Sequence, residues 1–345
     1  MLSALALLGA IAAAAPSNGA HTTSLARVLA HWDQDEHPDL KAVVVMRAGR
    51  IVAERYYNGE RVSDLHDVRS AGKSITSLLA GAAVDRGKIG SINEPVEHYW
   101  SAARGTAIGH VPISDVLTMR SGLAAFDEDP ESPGGENRLD AAANPRTFIL
   151  GLTRVNAPGT VYRYNSVTAH VAGLIVQEAV HKDLQSFAKL VLFAPLGISR
   201  WTWERDAAGD FKGQGNLSLT ARDFAKIGEL VRERGTRFGR QVISAEWIDE
   251  ALKPRVSIAD VDPYADGYGY FWYSKMQQIG QTAVAVSFAS GNGGNKVYVV
   301  RQLGLVVVIT SGAYGKGYGQ KRSEEILRAV LAAELGVEPP SEDGE

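Results

Sequence analysis

The chain of 345 residues contains no cysteine. Disulfides, thiolate nucleophiles and cysteine-ligated zinc are therefore excluded. A large charge imbalance is also missing. The net charge of −3 offers no electrostatic footprint for nucleic acid or an anionic membrane. No G-x-S-x-G elbow occurs, which disfavours an α/β-hydrolase. No H-E-x-x-H occurs and the eight histidines are scattered, so neither a metal site nor a cofactor is indicated. No Walker loop occurs, and the G-N-G-G-N stretch at 291–295 reads as a turn rather than a phosphate cradle. What remains is an ordinary globular composition, 45% hydrophobic and 22% charged. Its length suits one large domain or two modest ones.

The first twenty residues carry no charged side chain; the first is Arg27. The stretch is too short and alanine-rich for a membrane-spanning helix. With small residues at Ala13 and Ala15, it reads as a secretory signal that lacks the usual basic start. This implies an exported, periplasmic or extracellular protein with no membrane span in the mature chain.

Residues 22–35 have helical spacing at Leu25, Val28, Leu29 and Trp32. Ala42–Met46 and Ile51–Tyr57 flank a turn containing Gly49 and predict a hairpin. A helix is expected over 70–87, ended by Gly87. Residues 88 to about 215 show few strand signals, and the polar 125–146 stretch reads as a long surface loop. From 216 the pattern is that of an amphipathic helix. Strands return at 283–289, 296–301 and 305–310, followed by a closing helix. The expected fold class is α/β of the α+β type: one antiparallel sheet built from both ends of the chain, covered by terminal helices, with an all-helical insertion. The corresponding boundaries are 1–20 for the leader, 21–88 and 216–337 for the sheet part, 89–215 for the helical part and 338–345 for a tail.

One short motif carries chemistry. Ser70 and Lys73 stand three apart in R-S-A-G-K-S, which on a helix puts both on one face, roughly 5–6 Å apart at Cβ. A serine at a helix start meets free backbone N–H groups that can hold an oxyanion. It needs a base. Lys73 serves only when neutral, which at pH 7 costs about 4.6 kcal/mol unless its pKa falls. Burial among Ala71, Gly72 and Ile75 has the required sign. The plainer reading is a helix start, since serine is a common N-cap. The same spacing recurs at Ser186 and Lys189, within an amphipathic stretch where a serine is a surface residue.

The stretch R-S-A-G-K-S-I-T-S-L-L-A-G-A-A-V-D-R-G-K-I resembles the nucleophile helix of the serine β-lactamase and penicillin-binding-protein superfamily. The class C-like branch is most similar, with its 6-aminohexanoate-dimer hydrolases, esterases and D-alanyl peptidases. The blocks at 113–123, 158–176, 195–199, 215–230 and 289–300 resemble that branch in the same order. The resemblance implies a β-lactamase/transpeptidase-like fold and an acyl-serine intermediate on Ser70. Its Tyr-x-Asn element falls on Tyr164, Asn165 and Ser166, with Tyr164 sharing the proton work of Lys73 and Ser166 contacting substrate where many relatives have asparagine. Alternation sends Tyr162 the opposite way. Its Lys-Thr-Gly or His-x-Gly element falls on Ala289, Ser290 and Gly291, so the basic residue is missing. Ser290 would donate to substrate, Gly291 would let substrate lie close, and the backbone N–H of Asn292 would join that of Ser70 as the oxyanion hole. Without that basic residue the implied substrate is a small ester or simple amide rather than a penicillin. A β-lactamase or D-alanyl-D-alanine carboxypeptidase, and a catalytically idle binding module, stay open as alternatives.

Overall fold

The computed structural model describes residues 18–338. The leader-like residues 1–17 and the last seven residues lie outside that range. After helix α1 (Asn18–His31) the chain enters strand β1 (Leu40–Arg47), turns through Ala48 and Gly49, and returns as β2 (Arg50–Tyr56). Late in the chain come β3 (Tyr273–Ile279), β4 (Thr282–Gly291), β5 (Asn295–Val300) and β6 (Leu305–Ser311). All join one antiparallel sheet, in spatial order β2-β1-β6-β5-β4-β3. The short strands Gly267–Tyr268 and Val256–Ser257 complete its eight members. Residues 42–46 of β1 and 305–309 of β6 read as unbroken apolar runs because both faces of the sheet are covered there. Val43, Val44, Val45, Val307, Val308 and Ile309 are all buried.

Four more helices position the site: α2 (Gly72–Asp85), α3 (Ser166–Val180), α4 (Ala221–Arg232) and α5 (Tyr318–Leu335). α4 lies flush on one face of the sheet, since a Cβ at Gly228 would come 2.6 Å from Val297 and Val306. α1 and α5 pack together by the sheet. α2 is buried on every side from Gly72 to Ala83, the mark of an interior helix, and packs against α3.

Two expectations are corrected. The helix expected from 216 begins only at Ala221: Leu217–Leu219 is the central strand of a small sheet, flanked by His66–Asp67 and Thr202–Trp203. Thr220 caps the helix by accepting from the Asp223 N–H. The 125–146 stretch is more than a surface loop. It buries Ala125, Ser132 and Leu139, carries a short helix at Glu136–Ala141, and folds against the start of α3.

Candidate active site

Ser70 sits in a 3-10 turn, Arg69–Ala71, that runs straight into α2. Four contacts shape this turn. Val68 donates its N–H to the Leu217 carbonyl at 3.0 Å. Arg69 adopts a left-handed backbone (φ 53), which costs about 1 kcal/mol in a non-glycine residue. It is held there by its N–H on Asp67 Oδ1 at 2.8 Å. Two glycine backbones then press on the turn. A Cβ at Gly215 would meet the Arg69 carbonyl at 2.6 Å, and one at Gly291 would meet the Val68 carbonyl at 2.1 Å. Gly291 thus makes room for the Ser70 turn at the end of β4.

Lys73, one turn on, is 2% exposed. Its Nζ lies 2.8 Å from Ser70 Oγ, 3.2 Å from Ser166 Oγ and 3.0 Å from the Gln214 carbonyl. Three acceptors match the three N–H bonds of an ammonium. The Tyr164 ring centroid is 5.0 Å from Nζ. Tyr162 turns away and packs edge-on against Tyr268. Burial pushes Lys73 toward neutrality, but Tyr164, Glu136 and Asp127 outweigh it and its pKa is raised. Burial thus acts on this lysine with the expected sign, and its charged neighbours outweigh it.

Ser166 is corrected as a substrate contact. Asn165 caps α3 by accepting from the Thr168 N–H at 2.7 Å, which makes Ser166 the first helical residue, with 0% exposure of its backbone and side chain. Its hydroxyl lies between the lysine and two carboxylates, 2.8 Å from Asp127 Oδ2 and 3.1 Å from Glu136 Oε1. Asp127 Oδ1 accepts from the Glu136 N–H at 3.0 Å. Burial, opposed by Lys73 and Ser166 and reinforced by Glu136, raises the Asp127 carboxyl to about 6. Neither carboxylate was picked out in the sequence, where both fall in a run of surface-like polar residues.

On β4, Ala289 carries no basic side chain, yet a cation is near. Lys296 of β5, paired across from Ser290, places its Nζ 2.7 Å from Ser290 Oγ. The Ser290 oxygen is therefore already an acceptor inside the protein. Asn292 follows Gly291 and anchors the turn: its Oδ1 accepts from the Gly315 N–H at 2.8 Å and its carbonyl from Asn295 Nδ2 at 2.8 Å. Ser186 lies on an exposed helical turn with its hydroxyl on Asp183 Oδ2 at 2.7 Å, remote in the chain from these partners.

A sheet covered by terminal helices, with a serine–lysine pair where an inner helix meets a sheet strand, defines the β-lactamase and penicillin-binding-protein fold. A class C β-lactamase from Rhodobacter sphaeroides superposes with a TM-score of 0.65 at 16% identity, over 92% of this chain and 99% of that one. A penicillin-binding protein homologue from Caulobacter crescentus gives 0.73 at 17% identity, over 91% and 97%. The chain belongs to the beta-lactamase family, whose model matches residues 30–331. It is 28% identical over 223 residues to the 6-aminohexanoate-dimer hydrolase of Paenarthrobacter ureafaciens, covering 61% of this chain and 56% of that relative. The match thus spans little more than half of the relative's length.

Proposed function

We propose that the protein is a serine hydrolase that cleaves ester or simple amide bonds through an acyl-serine intermediate. The observation that carries this reading is the 2.8 Å contact between Ser70 Oγ and the buried amine of Lys73. Ser70 attacks the carbonyl carbon, and Lys73 and Tyr164 handle the proton. The backbone N–H groups of Ser70 and Asn292 hold the oxyanion. The leaving group departs protonated, and water then releases the acyl group from Ser70. The name of the 6-aminohexanoate-dimer relative adds short linear amides to the substrate classes worth testing. The leader-like segment supports export, which fractionation of an expressing cell tests.

The test is hydrolysis of a short-chain p-nitrophenyl ester and of the linear 6-aminohexanoate dimer by wild type, Ser70→Ala and Ser186→Ala. Loss of turnover in Ser70→Ala alone supports the reading. Full activity in Ser70→Ala, or loss in Ser186→Ala, overturns it. A second reading, β-lactamase activity, draws on the Lys296 amine behind Ser290, which brings positive charge to the strand where a substrate carboxylate would lie. Rapid turnover of a chromogenic cephalosporin would favour it.

A further inference from the structure

A serine–lysine pair needs a neutral amine at the moment of attack, yet Lys73 is surrounded by groups that keep it charged. The structure also supplies an exit for the extra proton. From Ser70 the contacts run without a gap: Oγ to Lys73 Nζ at 2.8 Å, Nζ to Ser166 Oγ at 3.2 Å, Oγ to Asp127 Oδ2 at 2.8 Å. Ser166 receives a hydrogen bond on one side and donates one on the other. A hydroxyl can pass a proton along such a line, because it accepts one as it releases its own. An amide side chain in its place could hold the lysine but not relay for it.

We propose, building on the acyl-serine reading, that Ser166 and Asp127 form a proton relay that discharges Lys73 before each attack. The N–H bond of the ammonium breaks as a new O–H bond forms on Ser166 Oγ. The original Ser166 O–H bond breaks in the same movement, and its proton lands on Asp127 Oδ2. Lys73 is then neutral and takes the Ser70 proton as Ser70 Oγ bonds to the carbonyl carbon. That proton goes on to the leaving group. Ser166 ends each passage unchanged, and Asp127 returns its proton by the same route when the cycle closes.

Asp127 is built as the terminus of this line, with a carboxyl pKa lifted toward that of the lysine by burial and by Glu136. Its second oxygen is fixed by the Glu136 N–H, so the carboxyl cannot swing away from Ser166. The Glu136 carboxylate lies on the same hydroxyl at 3.1 Å; two carboxylates sharing one hydroxyl proton favour taking up another. The charged and titratable groups around the relay are Lys73 on α2, Arg69 in the preceding turn, Glu136 on the 125–146 stretch, and Tyr164 ahead of α3. Ser166 and Asp127 act through Lys73 and touch no substrate, so a loss of rate alone would not separate a relay from a scaffold.

The experiment compares wild type, Asp127→Asn, Ser166→Ala, Ser166→Asn and Ser166→Thr on the p-nitrophenyl ester. It records kcat and KM, the pH profile of kcat/KM, and the solvent isotope effect in H2O/D2O mixtures. The expected result is a fall in kcat of roughly 10²-fold in Asp127→Asn, Ser166→Ala and Ser166→Asn, with KM little changed. Ser166→Thr, which keeps the hydroxyl, regains most of the rate. The acid limb near about 6 disappears in Asp127→Asn, and the proton inventory changes from curved in wild type to linear in the slowed variants. Rates within about twofold of wild type in Asp127→Asn, or a slowed Asp127→Asn that keeps its acid limb and curved inventory, would overturn the relay. Asp127→Asn is nearly isosteric, so it remains informative if the Ser166 variants fail to fold. Labelling of Ser70 by a fluorophosphonate, read by intact mass against Ser70→Ala, reports on the acyl-serine reading separately.

Discussion

Replacing Lys296 by methionine is expected to stabilise this protein at neutral pH. The side chain is 2% exposed. Its amine sits 5.0 Å from the Phe288 ring centroid and 6.0 Å from that of Tyr264, with Ser290 Oγ as its hydrogen-bond partner at 2.7 Å. Among the described residues no carboxylate forms an ion pair with it. Burial, opposed by Asp262 and Glu324 and reinforced by Lys275, lowers its pKa from 10.5 to about 8. Between those two values the unfolded chain binds the proton and the native one does not, so stability rises with pH across that window. Below about 8 both states are charged and the native state carries the full penalty, about 3 kcal/mol at about 1.4 kcal/mol per pH unit. Methionine removes the charge and keeps an unbranched chain, but it deprives Ser290 of its donor at about 1 kcal/mol. The net gain expected at pH 7 is about 2 kcal/mol. Urea unfolding of both proteins at pH 7 and near pH 10 reads this directly, and their difference cancels the other titrating groups. The advantage of Lys296→Met should shrink, and by pH 10 should have largely gone. A variant less stable than wild type by the same amount at both pH values would refute the reasoning and mark the ammonium as well compensated.

Gly291→Ala forces a methyl to within 2.1 Å of the Val68 carbonyl, so the Ser70 turn must move; kcat should fall by roughly 10²-fold and thermal denaturation should come earlier. Unchanged kinetics would show that the turn yields freely. Asn165→Ala removes the cap on the Thr168 N–H and should cost about 1 kcal/mol in chemical unfolding. Because the cap also sets Ser166, its kcat should fall more than its KM rises.

Legibility followed how locally each feature was encoded. The β1–β2 hairpin and strands β4 to β6 are runs of apolar and β-branched residues bounded by glycine, and they stand close to where the pattern put them. β3 gave no such signal. Its sequence, Tyr-Ser-Lys-Met-Gln-Gln-Ile, buries Gln277 against Glu324 and Arg328 of α5, so a polar residue occupies an inward position and the alternation is lost. Ser70 and Lys73 were legible because three residues separate them on one helix. Asp127 and Glu136 were not, because their meaning depends on Ser166, some thirty to forty residues further on. The same gap explains Lys73: the sequence shows its apolar neighbours, whose effect is to discharge it, while Tyr164 and the carboxylates that outweigh them arrive only through the fold. Lys296 was hidden near the start of an ordinary strand, and nothing local says its amine reaches across the ladder to Ser290.

The Ser70 turn is gripped by Gly215 from one distant segment and by Gly291 from another, while Val68 is tied to Leu217. No single stretch of chain therefore owns the geometry at Ser70. That geometry exists only while three separate parts of the polypeptide are docked, so any loosening between the sheet edge and the inner helix disarms the serine before either element melts. In a partly opened or newly made chain, Ser70 would be chemically an ordinary serine until assembly is complete.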